Sequence, residues 1–289
     1  MPLLSRIPLS ILFAAISSSL YADIPDIEVK TFVNSTGRTI SYNWEPSTFA
    51  NEADGPVLLM IHGGSWITGS KDDPYFYHRQ ADSENVTRIF FNLASIDYTL
   101  FQPLNLWDMN PWPTQLNDVI ELVRHLRNEN PDRKISLLGG SAGAHIAMAT
   151  AVHFPNEIQC VTGVAGVYDF KEPSLNNFIP AWGPQLAAKL LRNTNSWTSP
   201  VDPQLNIPAN YSVPTLLMHS PGDTIVNEQQ SIGMYNELSD ETKYPLAKAY
   251  YHEIEIDAHI PQMFGNPEDT EMAPYTSEFL LFSYFSGCL

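Results

Sequence analysis

From Leu137 to His145 the chain reads Leu-Leu-Gly-Gly-Ser-Ala-Gly-Ala-His, a segment with a Gly-x-Ser-x-Gly pattern centred on Ser141. An apolar run precedes it and an alanine-rich segment follows it. A serine at such a junction lies on a sharp turn from strand to helix, where the glycines let neighbouring backbone approach without a clash. Its hydroxyl is then exposed, and the helix N-terminus favours developing negative charge. The pattern therefore predicts a nucleophilic serine at position 141.

Strands and helices alternate on both sides of this serine. Short apolar runs predict strands buried on both faces, whereas apolar residues at helical spacing predict amphipathic helices. The predicted strands cover residues 29–33, 40–44, 56–61, 88–96, 134–138, 160–167, 214–219 and 249–256. The predicted helices cover residues 113–129, 142–153, 227–238 and 275–285. The alternation predicts an α/β fold with a mostly parallel sheet.

Two segments stand apart from this alternation. Residues 1–22 combine Arg6 with a short apolar run and a serine-rich stretch, which is typical of a secretory signal peptide. Residues 171–212 are rich in Pro, Asn and Trp and predict a small insertion that caps one end of the sheet. We therefore expect cleavage near Ala22 and one α/β domain over residues 23–289.

Secretion agrees with two further features of the chain. Asn34, Asn85 and Asn210 each open an Asn-x-Ser/Thr sequon for N-glycosylation. Cys160 begins a predicted strand, and a last helix antiparallel to the strands returns Cys288 to the same edge of the sheet. In an oxidising compartment the two can pair. The element order thus predicts a disulfide, with two free thiols as the alternative.

A serine hydroxyl is a weak nucleophile, so it needs a base, and the base needs a carboxylate to orient it. With a Gly-x-Ser-x-Gly elbow, the acid and then the histidine follow the serine in the chain. Asp223 follows the apolar strand at 214–219, and His259 lies between the last strand and the last helix. These two are the predicted acid and base, and Asp257 is the alternative acid.

An oxyanion hole is the remaining requirement. Residues 62–66 read His-Gly-Gly-Ser-Trp and follow the first buried parallel strand. Two glycines there let the backbone turn its N–H groups inward with no side chain in the way. The amide of Ala142, directly after the serine, supplies another donor. These features predict an oxyanion hole, with a plain β-turn at residues 62–64 as the alternative.

The motifs together resemble the α/β-hydrolase superfamily, in the branch of hormone-sensitive-lipase-like carboxylesterases, feruloyl- and acetyl-esterase-like enzymes and arylformamidases. The motifs are His-Gly-Gly-x-Trp (62–66), Asp97-Tyr98-x-Leu100, Trp112-Pro113, Gly-x-Ser-x-Gly (139–143), Gly166-Val-Tyr-Asp169, Asp223 and His259. The resemblance, over about residues 55–285, implies an α/β-hydrolase fold with an eight-stranded, mostly parallel sheet flanked by helices. The site residues it implies are the triad Ser141, Asp223 and His259 and the oxyanion donors Gly64, Ser65 and Ala142.

Two positions depart from the family pattern. Ser65 stands where lipase-like members often have a third glycine, and its side chain is expected to narrow the acyl pocket. The segment His219-Ser-Pro-Gly-Asp223 replaces the more usual His-Gly-x-x-Asp, which leaves the shape of that loop open.

Charge and composition narrow the function further. The 289 residues include 32 acidic and 15 basic ones, a net charge of −17, and a surface this negative repels nucleic acid. The N-terminal apolar run is too short for stable membrane insertion. We therefore expect a secreted serine hydrolase that cleaves small-molecule carboxylic esters without a metal or organic cofactor. The alternatives are an arylformamidase with the same machinery and an inactive hydrolase-fold binding module.

Overall fold

An eight-stranded sheet forms the centre of the protein. The structure is a computed structural model that describes residues 27–47, 52–73, 87, 90–102, 112–170, 202–254, 259, 282–283 and 285–288. The strands are β1 (Glu28–Val33), β2 (Thr39–Glu45), β3 (Val57–Ile61), β4 (Asn92–Ile96), β5 (Ile135–Gly140), β6 (Cys160–Val164), β7 (Thr215–His219) and β8 (Ala249–Glu253). The helices α1 (Thr114–Glu129), α2 (Ala142–His153) and α3 (Gln229–Leu238) alternate with the later strands.

The strand order is β1-β2-β4-β3-β5-β6-β7-β8. β1 pairs antiparallel with β2, and β2 pairs antiparallel with β4. All the other neighbours are parallel. This confirms the predicted mostly parallel sheet. Because parallel strands end at the same edge, the residues that follow β3, β5, β7 and β8 are brought to one side of the molecule.

The burial of each strand and helix agrees with its sequence pattern. Every residue of β3, β5 and β6 is buried, as continuous apolar runs predict for central parallel strands. Helix α1 instead buries one stripe of apolar residues at helical spacing, which packs on the sheet. Helix α2 is buried along its whole length except for His153, so its small alanines and glycine allow close packing against the strands.

Three predicted strand boundaries were wrong by three or four residues. The eighth strand ends at Glu253 rather than at residue 256. The fourth strand begins at Asn92 rather than at residue 88, because the N–H of Phe91 donates to the Thr87 carbonyl, 3.0 Å away, as in a helical turn. The sixth strand ends at Val164 rather than at residue 167, because Ala165 has a φ of +48° and takes the backbone out of the extended conformation. Apolar composition alone does not reveal either break.

The sequon asparagines have different environments. Asn34 is buried in the β1–β2 turn, where its Oδ1 accepts the N–H groups of Thr36 and Arg38. Its Nδ2 donates to the buried Asp118 carboxylate at 2.8 Å. Asn34 therefore has a structural role in this turn. Asn210 is exposed, and Asn85 lies outside the described residues.

A disulfide joins Cys160 to Cys288, with Cα atoms 5.7 Å apart, as the order of elements predicted. Cys160 begins β6, at the edge of the sheet opposite the strand ends that carry the predicted site. Gln159 Nε2 donates to the Gly287 carbonyl beside it, at 2.9 Å. The bond therefore attaches the C-terminal residues to the base of the sheet.

Several sequence predictions fall outside the described residues. These are the signal peptide at residues 1–22, most of the insertion at residues 171–212, Asp257, and all of the helix at residues 275–285 except 282, 283 and 285. Residues 282, 283 and 285 are helical, in agreement with that prediction. None of the helices in the described part of the chain has the length and apolar character that a membrane crossing requires.

Candidate active site

Ser141 lies on a sharp turn between β5 and α2. Its φ is 53° and its ψ is −118°, a conformation that residues with a side chain rarely adopt. The Ser141 N–H donates to the Val164 carbonyl at 2.9 Å, and its own carbonyl accepts the His145 N–H at 3.1 Å. The turn is thus held by β6 on one side and by the first turn of α2 on the other, as the Gly-x-Ser-x-Gly pattern predicted.

The glycines around the turn are required by close backbone approach. A Cβ at Gly139 would overlap the backbone of Gly143, and a Cβ at Gly143 would overlap the Ile61 carbonyl oxygen. Both contacts press the start of α2 against the ends of the central strands. Gly63 lies close to Ser141 as well, because a Cβ there would stand 3.4 Å from the Ser141 Cβ. The His-Gly-Gly loop is therefore next to the nucleophile turn.

Three side chains form a hydrogen-bonded series at this edge. His259 Nε2 lies 3.2 Å from Ser141 Oγ, and His259 Nδ1 lies 2.7 Å from Asp223 Oδ2. With a proton on Nδ1, the ring donates to the carboxylate and accepts the serine proton at Nε2. The sequence-predicted nucleophile, base and acid are thus brought together, although 118 residues separate Ser141 from His259.

The Asp223 carboxylate is surrounded by donors. Its Oδ1 accepts the backbone N–H groups of Ile225 at 2.8 Å and Val226 at 3.0 Å. Its Oδ2 faces His219 and His259. Burial by itself would raise the pKa of Asp223, but the hydrogen bonds from these groups outweigh burial and lower the pKa well below its ordinary value. Asp223 is therefore ionised throughout the neutral range.

The loop that carries Asp223 is closed locally. The Asp223 N–H donates to the Ser220 carbonyl at 3.2 Å, and the Gly222 N–H donates to Ser220 Oγ at 3.2 Å. Ser220 thus makes the turn in place of the family's more usual glycine. This result answers the question of loop shape that the sequence left open.

His219 contacts the proposed acid Asp223, and the sequence did not predict this contact. Its Nε2 lies 3.2 Å from Asp223 Oδ2, and its side chain is fully buried. The signal available in the sequence was a histidine at the very end of β7, four residues before the acid. Position along the chain excluded it as the base, but its contact with the acid depends on how the intervening loop folds back.

The residues that follow β3 have a backbone suited to presenting N–H groups. Gly64, Ser65 and Trp66 have successive φ values of +93°, +53° and +63°. At Gly64 no side chain fits, since a Cβ would overlap the Thr68 carbonyl oxygen. The Gly64 carbonyl accepts the N–H groups of Ile67 and Thr68, both at 3.1 Å, which closes the turn.

Aromatic side chains support this loop. The His62 ring stacks on Tyr98 with centroids 4.1 Å apart, and the Tyr98 hydroxyl donates to the carbonyls of His62 and Gly63 at 3.2 Å. Trp66 Nε1 donates to His145 Nδ1 at 3.0 Å, which ties the loop to α2. Burial lowers the pKa of His62, so this ring is neutral at pH 7.

The described residues contain no cluster of three or more His, Cys, Asp or Glu side chains arranged to hold a metal ion. The arrangement of Ser141, His259 and Asp223 can supply a nucleophile, a proton acceptor and a charge that orients it. Ala142 is the buried first residue of α2, so its N–H is one of the donors that have no partner within the helix. These three side chains, the Ala142 N–H and the loop after β3 are the groups that acyl transfer requires.

A sheet of this order, with a serine turn after β5, an acid after β7 and a histidine after β8, is the α/β-hydrolase fold. More specifically, the chain belongs to the BD-FAE family, whose family model matches residues 46–238. That stretch includes Ser141, Asp223 and the loop after β3, while His259 lies beyond it.

Two curated relatives are named as a carboxylic ester hydrolase and an esterase. The probable carboxylic ester hydrolase LipM of Mycobacterium tuberculosis is 24% identical over 250 residues, which are 78% of this chain and 54% of LipM. The versiconal hemiacetal acetate esterase stcI of Emericella nidulans is 28% identical over 129 residues, 45% of this chain and 41% of stcI. This chain therefore spans about half the length of these curated relatives.

A solved structure shares the fold over nearly the whole chain. The hyperthermophilic esterase from the archaeon Pyrobaculum calidifontis has a TM-score of 0.70 and 15% sequence identity, with 96% of this chain and 90% of that chain covered.

Proposed function

We propose that the protein is a secreted serine esterase that hydrolyses small-molecule carboxylic esters through an acyl-enzyme. The observation that carries this proposal is the hydrogen-bonded series from Asp223 through His259 to Ser141. Membership of the BD-FAE family and relatives named as ester hydrolases support esters as the substrate class.

In the acylation half of the proposed reaction, Ser141 Oγ attacks the ester carbonyl carbon while its proton passes to His259 Nε2. The carbonyl oxygen becomes an oxyanion that accepts the N–H groups of Gly64, Ser65 and Ala142. When the tetrahedral intermediate collapses, the bond to the leaving oxygen breaks and that oxygen takes the proton from His259. The products of this half are the free alcohol and acyl-Ser141.

In the deacylation half, water replaces the alcohol. His259 Nε2 takes one proton of the water as its oxygen attacks the acyl carbon, and the same donors hold the second oxyanion. Collapse returns the proton to Ser141 Oγ and releases the carboxylic acid. Asp223 remains an anion throughout, because its hydrogen bonds keep its pKa low, and it stabilises the imidazolium form of His259 in both halves.

Small and medium acyl groups are the proposed specificity. Ser65 supports this choice, since it brings a side chain into the oxyanion loop at a position where related lipases often have glycine. The half-buried Ser65 directly follows Gly64, close to the nucleophile turn. An acyl chain bound beside the oxyanion therefore meets a hydroxymethyl group instead of open space.

A turnover panel tests the proposal. Purified protein is assayed with p-nitrophenyl acetate, butyrate and palmitate, methyl ferulate and N-formylkynurenine. We expect ester hydrolysis, with butyrate preferred over palmitate, and a fall in kcat of about 10⁴ or more in Ser141→Ala. Ser136→Ala is the matched control, because Ser136 is a buried serine near the other end of the same strand. Turnover of the formamide alone, or full activity in Ser141→Ala, would contradict the proposal.

Secretion is the part of the proposal supported only by residues 1–22 and by the disulfide, a bond that persists in oxidising compartments. Exposed Asn210 is the proposed glycan acceptor, whereas the Nδ2 of Asn34 is engaged with Asp118. Expression in a glycosylating secretory host should give protein in the medium with an N-terminus near Asp23. Its mobility should change on deglycosylation, and Asn210→Gln should remove that change. Retention of residues 1–22 in soluble intracellular protein would oppose secretion.

A further inference from the structure

Two histidines contact one oxygen of the proposed catalytic acid. His219 Nε2 lies 3.2 Å from Asp223 Oδ2, and His259 Nδ1 lies 2.7 Å from the same atom. The two rings differ in their exposure to solvent. His259 is partly exposed, whereas His219 and the Asp223 side chain are fully buried. The reaction described above uses His259 and gives His219 no part. A buried imidazole against a buried carboxylate therefore calls for its own explanation.

The hydrogen bonds of His219 place a proton on its Nε2. Its Nε2 lies 2.9 Å from the Val226 carbonyl oxygen, which can only accept, so Nε2 carries a proton. Its Nδ1 lies 2.7 Å from Ser231 Oγ on α3, whose hydroxyl can donate to it. Both ring nitrogens are thus satisfied in the neutral tautomer with the proton on Nε2. That proton is shared between the Val226 carbonyl and Asp223.

The other groups around His219 leave this tautomer undisturbed. Tyr168 is fully buried, and burial raises the pKa of its phenol far above neutral, so the phenol is uncharged. Ser231 itself does not ionise. Among the described residues, the charged side chain in contact with His219 is Asp223, whose second oxygen is held by the N–H groups of Ile225 and Val226. Glu253 pairs with His219 across β7 and β8, but it is exposed.

We propose that His219 is a positioning residue for the reaction: its Nε2–H holds the Asp223 carboxylate toward His259 and takes up part of its negative charge. The inference rests on the proposed function and extends it. Four groups then act in series, since Ser231 holds the His219 ring at Nδ1, His219 orients Asp223, and Asp223 orients His259. The buried ring does not touch substrate, so its removal should change kcat and the pH profile and leave KM nearly unchanged.

The sign of the pH effect follows from competition at Oδ2. If the donor from His219 is lost, His259 faces a carboxylate whose charge is no longer shared. Its protonated form is then stabilised, and the acidic limb of the kcat/KM profile moves to higher pH. The carboxylate also gains freedom to rotate, which lowers kcat because the imidazole is held less well.

The experiment compares His219→Leu, which removes the donor, with His219→Gln, whose side-chain amide N–H can reach the position of Nε2. In His219→Leu we expect kcat to fall about 10- to 100-fold with KM nearly unchanged, and the acidic limb to move up by about 0.5–1 pH unit. His219→Gln should have a kcat and an acidic limb close to those of wild type. His252→Leu is the matched control on the adjacent strand β8, where His252 pairs with Met218, and it should leave the profile unchanged.

A second measurement does not depend on turnover. We expect the Nδ1 proton of His259, 2.7 Å from Asp223 Oδ2, to give a strongly deshielded ¹H NMR signal, identified by its loss in His259→Ala. We expect His219→Leu to move this signal and His219→Gln to restore it. If the wild type hydrolyses no ester, the proposed function fails, and this signal still decides the inference.

The inference is overturned if His219→Leu lowers the thermal midpoint but leaves the pH profile and the NMR signal as in wild type. That result would make His219 a packing residue only. Should His219→Leu not fold, Ser231→Ala takes its place, because it removes the hydrogen bond that holds the His219 ring at Nδ1. A smaller shift of the acidic limb in the same direction supports the inference, and no shift overturns it.

Discussion

His259 Nδ1 lies 2.7 Å from Asp223 Oδ2, although 36 residues separate the two in the chain. Both follow neighbouring parallel strands, β7 and β8, and the contact forms because these strands end at the same edge. The short distance and the buried carboxylate indicate a strong, charge-assisted interaction whenever His259 is protonated. This contact also holds His259 between Asp223 and Ser141, so that the three side chains form one hydrogen-bonded series.

The first prediction concerns this acid. In Asp223→Asn the amide cannot hold the Nδ1–H tautomer of His259, so kcat for p-nitrophenyl butyrate should fall about 10³–10⁴-fold. Asp257→Asn, the alternative suggested by the sequence, should lose far less. Steady-state kinetics of both variants decide between them. A large loss in Asp257→Asn with little in Asp223→Asn would assign the acid to Asp257.

The second prediction concerns stability against pH. The pKa of Asp223 is lower in the folded protein than in the unfolded chain, so its ionised form favours folding. This contribution is complete above the unfolded pKa of about 3.9 and is lost as the pH falls below it. Below pH 5, where His259 is already protonated in both proteins, the difference in unfolding free energy between wild type and Asp223→Asn should shrink as the pH falls below about 4. Urea titrations along the pH series measure it. A difference that stays constant or grows below about pH 4 would contradict the assignment.

The third prediction concerns strain at the nucleophile. Ser141 has a φ of 53°, which glycine adopts freely and alanine does not. Ser141→Gly and Ser141→Ala should both be inactive, but the glycine variant should be more stable by about 1–2 kcal/mol. At Ser136, in the extended β5, the order of stability should be reversed. Ser136→Gly should be less stable than Ser136→Ala by about 0.5–1 kcal/mol. Thermal unfolding of the four variants gives the comparison, and the same order at both sites would exclude strain at Ser141.

The fourth prediction compares two glycines that lie inside helices. A Cβ at Gly143 would overlap the Ile61 carbonyl oxygen, so Gly143→Ala should force α2 away from β3 and destabilise the protein by about 1–3 kcal/mol or more, with loss of activity. The nearest atom to a Cβ at Gly233 is on the Gln204 side chain, at 3.4 Å. Gly233→Ala should therefore gain about 0.5–1 kcal/mol from helix propensity. Equal effects on the urea midpoint would contradict the packing argument.

The fifth prediction concerns the disulfide. Cys160 and Cys288 are 128 residues apart, so their bond constrains a long loop in the unfolded chain. The chain-entropy model gives about 4–5 kcal/mol as an upper value for the stability lost in Cys160→Ala/Cys288→Ala. Because the bond lies at the edge of the sheet opposite Ser141, kcat at room temperature should be nearly unchanged. Denatured, unreduced wild type should contain no free thiol, and two thiols per chain would exclude the bond.

Local patterns in the sequence predicted much of the fold and of the candidate site. Gly139 and Gly143 predicted the turn at Ser141, because only a tight strand-to-helix junction needs glycine at both positions. Asp223 and His259 followed from their places after predicted strands. The predicted start of β4 at residue 88 was wrong, since the Phe91 N–H donates to the Thr87 carbonyl and the strand begins at Asn92, a difference that apolar composition does not reveal.

Sequence by itself therefore determined the alternation of strands and helices, the serine turn and the chain order of acid and base, because each depends on residues close to one another in the chain. Only the tertiary structure decided that Cys160 and Cys288 approach within 5.7 Å and that His219 shares an oxygen of Asp223 with His259. Such contacts depend on the lateral order of strands and on how loops fold back at their ends. Periodicity and spacing carry no information about either, because they describe one segment at a time.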